Sequence, residues 1–321
     1  MKKKIIIITG DPNSINSELI YKCWKKIDNK LKKKIYLISN IELLKEQFKI
    51  LKYRIKIVEV KNLNECYNNK NLKILNLDLK FTNPFKVSLA AGTKFVHNSL
   101  NLGHELGLKK EVMGIINCPI DKKFLNKNNL GVTEYLASKC SVKEENQAML
   151  IMNEKLMVCP LTTHINLQNV SKKINKLLIV NKIKTIDLWF KKKFRKKPKF
   201  AILGLNPHNS EFNKASKENK IIIPAVKTLK NLKINIRGPI PADTIFINDY
   251  KKFNIIVGMY HDQVLAPFKA LYKFNAINLT AGLRYLRVSP DHGVAIDLIK
   301  KNKSKATSLL KCIKIINKFG R

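Results

Sequence analysis

A chain of 321 residues with 62 basic and 23 acidic side chains carries a formal charge of +39. Its hydrophobic content of 45% excludes a disordered chain, and its length predicts two domains of ordinary size. The basic residues form short scattered runs rather than one stripe interleaved with aromatic residues. This spacing argues against nucleic acid as a partner and favours electrostatic attraction of small anionic substrates.

The cysteines and the start of the chain bear on its compartment. Six cysteines are widely spaced with no paired motif, which predicts reduced thiols in a cytosolic protein. The opening MKKKIIIITGD has an apolar stretch too short for a secretory signal and is predicted to be a first strand. No stretch reaches the length of a membrane span. We therefore expect a soluble, cytoplasmic protein.

The first part of the chain alternates strand and helix patterns. Apolar runs predict buried strands at 4–9, 35–39, 55–60 and 112–117. Apolar periodicity and polar caps predict helices at 17–26, 41–48 and 87–106, and an Asn-rich loop is predicted at 62–73. Strands that alternate with helices are typical of a parallel sheet flanked by helices.

The rest of the chain keeps this alternation. Two strands, at 148–152 and 156–161, are predicted to pair with each other across a short turn. Further strands are predicted at 199–203, 254–257 and 276–279, with helices at 169–194, near 221–229 and at 303–319. No Pro- or Gly-rich linker separates the halves. The pattern predicts an α/β fold of two intertwined α/β/α domains, with a largely parallel sheet and an interdomain cleft.

Three apolar runs each end in a histidine. They read LMVCPLTTH to His164, FAILGLNPH to His208 and FNIIVGMYH to His261. In open α/β sheets, ligands bind outside the carboxyl ends of the strands. Three imidazoles delivered there suit Zn²⁺, Co²⁺ or Mn²⁺ with an open coordination position, and polar neighbours such as Asp262 can fix the tautomers. One such histidine is more often structural, but the repetition favours a metal site.

Polar clusters late in the chain are candidates for substrate binding. Asp243 lies in PADT, after two prolines, and Asp291 lies in RVSPDHG. Lys269, Asn278 and Arg287 are spaced nine residues apart around a predicted strand. Lys269 alone is also compatible with a solvated basic face. Arg287 is the stronger candidate, because arginine is scarce here and offers a bidentate fork for phosphate or carboxylate.

Segments spread over the whole chain resemble the 4-hydroxythreonine-4-phosphate dehydrogenase family of the vitamin B6 pathway. The resemblance is carried, in chain order, by ITGDPNS (8–14), INCPIDKKFLN (116–126), GVTEYLA (131–137), LTTHINLQNV (161–170), LGLNPHNSE (203–211), GPIPADT (238–244), MYHDQVLAPFK (259–269) and INLTAGLRYLRVSPDHG (277–293). It implies an isocitrate/isopropylmalate dehydrogenase-like fold. The implied domains are 1–115 with 275–321, and 116–274, which carries the metal ligands and dimer contacts.

The resemblance also implies roles for individual residues. The metal ligands of the family match His164, His208 and His261. Its substrate-binding positions match Thr133, Lys269, Asn278 and Arg287. The candidates for the general base, which the sequence does not rank, are Asp243, Lys122 and Asp291.

The implied reaction oxidises the secondary alcohol of 4-phosphooxy-L-threonine and then releases CO₂. The implied cofactors are NAD or NADP and one divalent metal, Zn, Co, Mn or Mg, which would polarise the substrate hydroxyl. The implied partners are a phosphorylated small molecule and a second copy of the chain, in a homodimer.

Three positions depart from the family pattern and keep alternatives open. Val132 stands where the family usually has histidine, and Asp121 stands where a basic residue or histidine is usual. The turn at 10–17 has asparagine and serine in place of glycine and proline. A related dehydrogenase for another phosphorylated hydroxy acid, such as a four-carbon sugar acid, is therefore one alternative. The other is a nucleic-acid-binding protein on the same scaffold, suggested by the charge.

Overall fold

The chain folds into two compact units. The computed structural model describes residues 3–65, 70–125, 131–247 and 249–320. One unit comprises Met1–Cys140 with Leu283–Arg321, and the other comprises Ser141–Gly282. The chain therefore leaves the first unit after residue 140 and returns to it at 283, whereas the sequence predicted these crossings after 115 and 274.

The segment that lies between the predicted and observed crossings packs on the first unit. A Cβ atom on Gly92 would lie 2.5 Å from the ring of Phe124, so the two segments are in close contact. Tyr135 Oη donates a hydrogen bond of 2.8 Å to Asn101 Oδ1. The parts of this segment that carry Phe124 and Tyr135 thus pack on the helix that carries Gly92 and Asn101, a tertiary contact that the sequence pattern does not show.

The strands of the described residues are short and mostly buried. In chain order they are β1 (Lys4–Ile8), β2 (Ile35–Ser39), β3 (Ile57–Glu59), β4 (Leu72–Asn76), β5 (Val112–Asn117), β6 (Ala148–Met152), β7 (Met157–Pro160), β8 (Phe200–Leu203), β9 (Ile236–Ile240), β10 (Ile255–Gly258), β11 (Ile277–Ala281) and β12 (Arg287–Pro290).

The α-helices alternate with these strands. They are α1 (Asn16–Lys26), α2 (Asn29–Lys32), α3 (Ile41–Ile50), α4 (Leu89–Leu108), α5 (Val132–Lys139), α6 (Leu167–Lys173), α7 (Lys176–Phe194), α8 (Ile223–Asn231), α9 (Ala242–Ile245), α10 (His261–Tyr272) and α11 (Thr307–Phe319). Side-chain caps begin several of them; Ser88 Oγ, for example, accepts a hydrogen bond from Ala91 N–H at the start of α4. No described helix is both long and apolar enough to cross a membrane.

In the first unit the strands run in the order β3–β4–β2–β1–β5–β12. Every neighbouring pair is parallel. The central strands β1, β2 and β5 are buried almost without interruption, as expected where helices cover both faces of a parallel sheet. Their carboxyl ends, with that of β12, therefore lie along one edge of this part of the sheet.

In the second unit the order is β11–β6–β7–β10–β8–β9. Strand β6 is antiparallel to both of its neighbours, β11 and β7. The remaining strands β7, β10, β8 and β9 are parallel in that order. These four strands end at the same edge, and the segments that follow them carry the three predicted metal ligands and Asp243.

The α/β class and the largely parallel sheet are confirmed, as is the predicted pairing of β6 with β7. Three local predictions were wrong. The loop predicted at 62–73 overlaps the start of β4 (Leu72–Asn76), a strand that the sequence did not predict. Lys73 suggested a surface segment, but its side chain is fully buried. The single helix predicted at 169–194 is interrupted between α6 and α7. Strands β9 (IRGPI) and β12 (RVSP) were missed because arginine and proline interrupt the apolar pattern of both.

Candidate active site

Four parallel strands of the second unit deliver predicted site residues to one edge. His164 follows β7, His261 follows β10, His208 follows β8 and Asp243 follows β9. The strands lie side by side in this order. Since the carboxyl ends of parallel strands meet at the same edge, neighbouring strands bring their residues together in pairs.

The first pair is His164 and His261. Their ring centroids are 6.1 Å apart, with 39° between the ring planes. His261 Nδ1 lies 2.6 Å from Asp262 Oδ1. Because an ionised carboxylate only accepts hydrogen bonds, this contact places the proton of the neutral imidazole on Nδ1 and leaves the lone pair on Nε2. Asp262 therefore fixes the tautomer that a metal ligand needs, as its position after His261 suggested.

The second pair is His208 and Asp243. His208 Nε2 lies 4.0 Å from Asp243 Oδ2, and the side chains are 74% and 61% exposed. His208 begins a run of left-handed residues that continues to Phe212, with φ between 47° and 57°. A left-handed backbone costs roughly 1–2 kcal/mol per residue for side chains other than glycine. Contacts from outside the turn must therefore hold it.

The donor chemistry of these residues fits a divalent metal. Two imidazoles bound to one metal at about 2.0–2.1 Å would have ring centres roughly 5–6 Å apart, close to the spacing of His164 and His261. Among the described residues, no three His, Cys, Asp or Glu side chains are grouped closely enough to hold an ion. The structure thus brings two of the predicted ligands together and leaves His208 beside Asp243, on the next strand ends.

A buried carboxylate supports the segment that leads to His208. Glu218 is fully buried, and its Oε1 accepts hydrogen bonds from the backbone N–H groups of Leu205 (2.9 Å) and Asn206 (2.8 Å). The Asn206 amide adds contacts of 3.1 and 3.3 Å. Burial by itself raises the pKa of Glu218, but these hydrogen bonds outweigh it and hold that pKa below its ordinary value. The ionised carboxylate is thus part of the folded state.

We expect Glu218→Gln to destabilise the protein in a pH-dependent way. Near neutral pH the loss should be about 1–3 kcal/mol, because the charge that strengthens the hydrogen bonds from Leu205 and Asn206 would be lost and the new NH₂ group would face the Asn206 side-chain NH₂. The pKa of Glu218 is lower in the folded chain than its ordinary value of 4.5. Its contribution is therefore complete above that value and is lost as the pH falls through the folded-state pKa. Urea unfolding near pH 7 and about pH 4 measures the difference, which should shrink at the lower pH.

The control for this measurement is Glu42→Gln. Glu42 is 66% exposed and pairs with Lys45 at 2.9 Å on the surface. Removing such a pair should change the free energy of unfolding by less than about 0.5 kcal/mol at either pH. If the free energy of unfolding changed equally with pH in the wild type and in Glu218→Gln, the role assigned to Glu218 would be contradicted.

In the first unit, Arg287 is held among polar partners. It begins β12 and is 2% exposed. Its Nε donates to Asn117 Oδ1 at 2.7 Å, and a terminal nitrogen donates to Thr133 Oγ1 at 3.0 Å. Burial lowers the pKa of Arg287 to about 10, while nearby Glu134 opposes this change, so the guanidinium stays charged at neutral pH. Two predicted substrate-binding residues, Thr133 and Arg287, are therefore in direct contact.

The other two predicted substrate-binding residues lie in the second unit. Lys269 belongs to α10, and its Nζ is 5.3 Å from the ring centroid of Phe274. Asn278 lies on β11, and its buried Oδ1 accepts no hydrogen bond from the described residues. A buried acceptor without a donor is costly, so this oxygen is suited to receive a hydrogen bond from a ligand.

The candidates for the general base lie in different places. Asp243 is beside His208, as described above. Lys122 begins a 3₁₀ turn, Lys122–Phe124, and is exposed. Asp291 follows β12, and its backbone N–H donates to Ser308 Oγ at 3.0 Å. Of these three, the structure thus places Asp243 next to a predicted metal ligand.

The turn after β1 uses its polar side chains on the chain itself. The Asn13 side chain exchanges two hydrogen bonds with the backbone of Val87, of 2.9 and 2.7 Å. Asn16 Nδ2 donates to Pro119 O at 2.8 Å. Asn16 stands where the family pattern has glycine, and both asparagines tie the turn to neighbouring segments. The turn does not fit the role of a glycine-rich cradle for dinucleotide phosphates.

Comparison with known proteins gives a consistent result. The model of the family described as pyridoxal phosphate biosynthetic protein PdxA matches residues 14–316. A 4-hydroxythreonine-4-phosphate dehydrogenase of Sulfurihydrogenibium sp. is 36% identical, over 97% of this chain and 97% of that protein. A D-threonate 4-phosphate dehydrogenase of Salmonella typhimurium is 29% identical, over 98% of each. The crystal structure of a 4-hydroxythreonine-4-phosphate dehydrogenase from Klebsiella pneumoniae superimposes with a TM-score of 0.87 at 26% identity, covering 100% of both chains.

Proposed function

Because the chain belongs to the pyridoxal phosphate biosynthetic protein PdxA family, a family of dehydrogenases, we propose that it oxidises 4-phosphooxy-L-threonine. The proposed oxidant is NAD, which when bound would supply the acceptor for the hydride of the secondary alcohol carbon, while the hydroxyl proton is released. The resulting β-keto acid loses CO₂ and gives 3-amino-2-oxopropyl phosphate. The turn after β1 is not part of the proposed NAD site, because it lacks the glycines that let a backbone approach dinucleotide phosphates.

The observation that carries this proposal is the buried Arg287. Its guanidinium is charged, and Asn117 and Thr133 hold it in one orientation. A fixed planar guanidinium suits a phosphate or carboxylate, because its donors match the spacing of two anionic oxygens. We infer that it binds an anionic group of the substrate, with the Thr133 hydroxyl beside it. Lys269 and Asn278 are proposed to complete the substrate contacts.

We propose that His164, His208 and His261 hold the divalent metal. When bound, a Zn²⁺, Co²⁺, Mn²⁺ or Mg²⁺ ion would act as a Lewis acid on the substrate hydroxyl. His261 is prepared for this role by the Asp262 contact, which leaves Nε2 as the coordinating atom. His164 lies beside His261, and His208 would join them from the next strand end. Among the three base candidates we favour Asp243 as acceptor of the hydroxyl proton, because it lies beside His208.

A related reaction is the second candidate. The relative named D-threonate 4-phosphate dehydrogenase matches almost the whole chain. Val132 begins α5 directly before Thr133, where the family usually has histidine. A valine cannot donate a hydrogen bond to the substrate, so the group recognised next to the phosphate is open to change. This position supports oxidation of a phosphorylated four-carbon sugar acid as the alternative.

We expect the purified protein to form NADH from 4-phosphooxy-L-threonine with added Zn²⁺, Co²⁺, Mn²⁺ or Mg²⁺. Its kcat/KM for this substrate should exceed that for D-threonate 4-phosphate by about tenfold or more, which corresponds to roughly 1.4 kcal/mol of differential transition-state binding. Absorbance of NADH, with both substrates and both NAD and NADP, measures the ranking. The reverse ranking would establish the alternative, and no turnover of either would refute the proposed reaction.

We further propose that the protein is a cytoplasmic homodimer that associates through the second unit. Leu167, Ile247 and Phe274 of this unit are each 68–69% exposed. Apolar side chains with this degree of exposure are candidates for burial against a second copy of the chain. The described cysteines are all free and buried, which supports a reducing compartment.

A further inference from the structure

One glutamine side chain connects two of the strand ends that carry the histidines. Gln263 lies in the first turn of α10, two residues after His261. Its Nε2 donates a hydrogen bond of 2.7 Å to the carbonyl oxygen of Gly204, just after β8. Its Oε1 accepts a hydrogen bond of 2.7 Å from the backbone N–H of Met259, just after β10. Both ends of the amide are engaged, so its orientation is determined.

This bridge lies where the two strands part. Backbone pairing of β10 with β8 ends at Val257 and Ile202. Beyond that point Gly204 N–H bonds to Ile240 O, on the β9 side. The Gln263 amide therefore spans the gap after the last backbone pair. Gly258 makes room for it, since a Cβ atom there would lie 3.0 Å from Gln263 Oε1 and 2.5 Å from a methyl group of Val264.

The other neighbour of β10 is connected in a similar way. Thr162 follows β7 and precedes His164 by two residues. Its N–H and its Oγ1 both donate to Met259 O, at 3.2 and 2.8 Å. Met259 is fully buried, and its backbone is thus held by Thr162 on one side and by Gln263 on the other. The segments leading to the three histidines are joined through this one residue.

We propose that Gln263 is a positioning residue for the metal ligands. By tying Gly204 to Met259 it sets the distance between the His208 turn and the start of α10, where His261 lies. The inference rests on the proposed metal site. Because an amide that is hydrogen-bonded at both ends tolerates little displacement, its loss would let the His208 segment move relative to His261 while each strand keeps its own backbone hydrogen bonds.

The chain provides a matched control at the other end of the same two strands. Asn254 precedes β10 and Lys199 precedes β8. Asn254 Oδ1 accepts from Lys199 N–H at 2.9 Å, and Asn254 N–H donates to Lys199 O at 2.9 Å. Asn254→Leu removes a side-chain bridge between these strands, as Gln263→Met does, but far along the strands from the histidines.

The test is a Co²⁺ titration of the metal-stripped full-length protein, followed by the visible absorption of the bound ion, whose bands depend on ligand geometry. We expect Gln263→Met to weaken Co²⁺ binding by about 10–100-fold and to change the spectrum. Asn254→Leu should keep the Co²⁺ affinity and the spectrum of the wild type, even if it lowers the melting temperature as much as Gln263→Met does. Gln263→Glu, which keeps the acceptor for Met259 and loses the donor to Gly204, is the second variant if Gln263→Met does not fold.

The outcomes separate the two proposals. Wild-type affinity and spectrum in both Gln263 variants, with Co²⁺ bound by the wild type, would overturn the positioning role and leave the metal site standing. Absence of Co²⁺ binding by the wild type itself would overturn the metal site and the positioning role together. An equal loss of affinity in Asn254→Leu would show a general effect of strand stability and would also overturn the positioning role.

Discussion

His208→Ala should abolish metal binding and turnover while the protein stays folded. The side chain is 74% exposed, so its removal leaves no cavity in the core. Loss of one of three protein ligands should lower metal affinity by at least about 100-fold, more than changes to residues that only support a ligand. A Lewis acid contributes several kcal/mol to such a reaction, so kcat/KM should fall by about 10³–10⁴-fold. Metal content after dialysis and NADH formation measure the two effects.

Phe212→Ala is the matched control for this variant. Phe212 ends the same left-handed run, with φ of 55° against 47° for His208, and is 50% exposed. Both substitutions therefore place alanine on a left-handed backbone, but only one removes an imidazole. Phe212→Ala should keep metal and activity. One metal bound per chain with unchanged affinity in His208→Ala would contradict the ligand assignment.

The sequence predicts the strands of this fold well where a segment consists almost entirely of apolar residues. Strands β1, β2 and β5 are nearly continuous apolar runs, which a parallel sheet covered on both faces requires. The strand prediction failed at β4, where a polar side chain is buried because its hydrogen-bond partners lie in another part of the chain. Lys73 in β4 is fully buried because its Nζ donates to the carbonyl oxygens of Lys32 and Lys33, at 3.0 and 3.3 Å. No local pattern reports such a partner from another part of the chain.

Helix α10 shows a similar limit. It begins at His261 and contains Pro267, which reads as an interruption in a sequence. Pro267 lies in the second turn, where it removes the intrahelical hydrogen bond that residue 267 would donate to the carbonyl oxygen of Gln263, yet the helix continues to Tyr272. The sequence pattern predicted that His261 follows a strand, but it did not predict that His261 begins a helix.

For the candidate site, the sequence indicates which residue types carry chemistry but not what holds them. The three histidines stand out because each ends an apolar run. Asn117, Glu218 and Gln263 do not stand out, because their partners are a side chain on another strand or backbone groups of turns. Asparagine is common throughout this chain, so composition gives Asn117 no signal. Its position directly at the end of a buried strand is the one local feature that could have suggested it.

Arg287→Met should lower kcat/KM for the phosphorylated substrate by about 10²–10³-fold. Truncating one partner of a buried, hydrogen-bonded charge pair costs about 2–5 kcal/mol, and we assign this charge to the substrate anion. The free energy of unfolding should change much less. Leaving Asn117 Oδ1 and Thr133 Oγ1 without their donor costs about 1–3 kcal/mol, but removing a buried charge relieves its desolvation and offsets this loss. Steady-state kinetics measure the loss in kcat/KM, and urea unfolding measures the smaller change in the free energy of unfolding.

Two further variants identify the source of the effect. Arg284→Met removes the same charge from an exposed position three residues earlier and should leave kcat/KM within about twofold, since screened surface charges contribute little. Thr133→Val keeps the guanidinium and removes one hydrogen bond to it, so a fall of about tenfold is expected. Wild-type kcat/KM in Arg287→Met would mean that the buried guanidinium serves only the fold. The anionic group of the substrate would then have to be recognised by the remaining candidates, Thr133, Lys269 and Asn278.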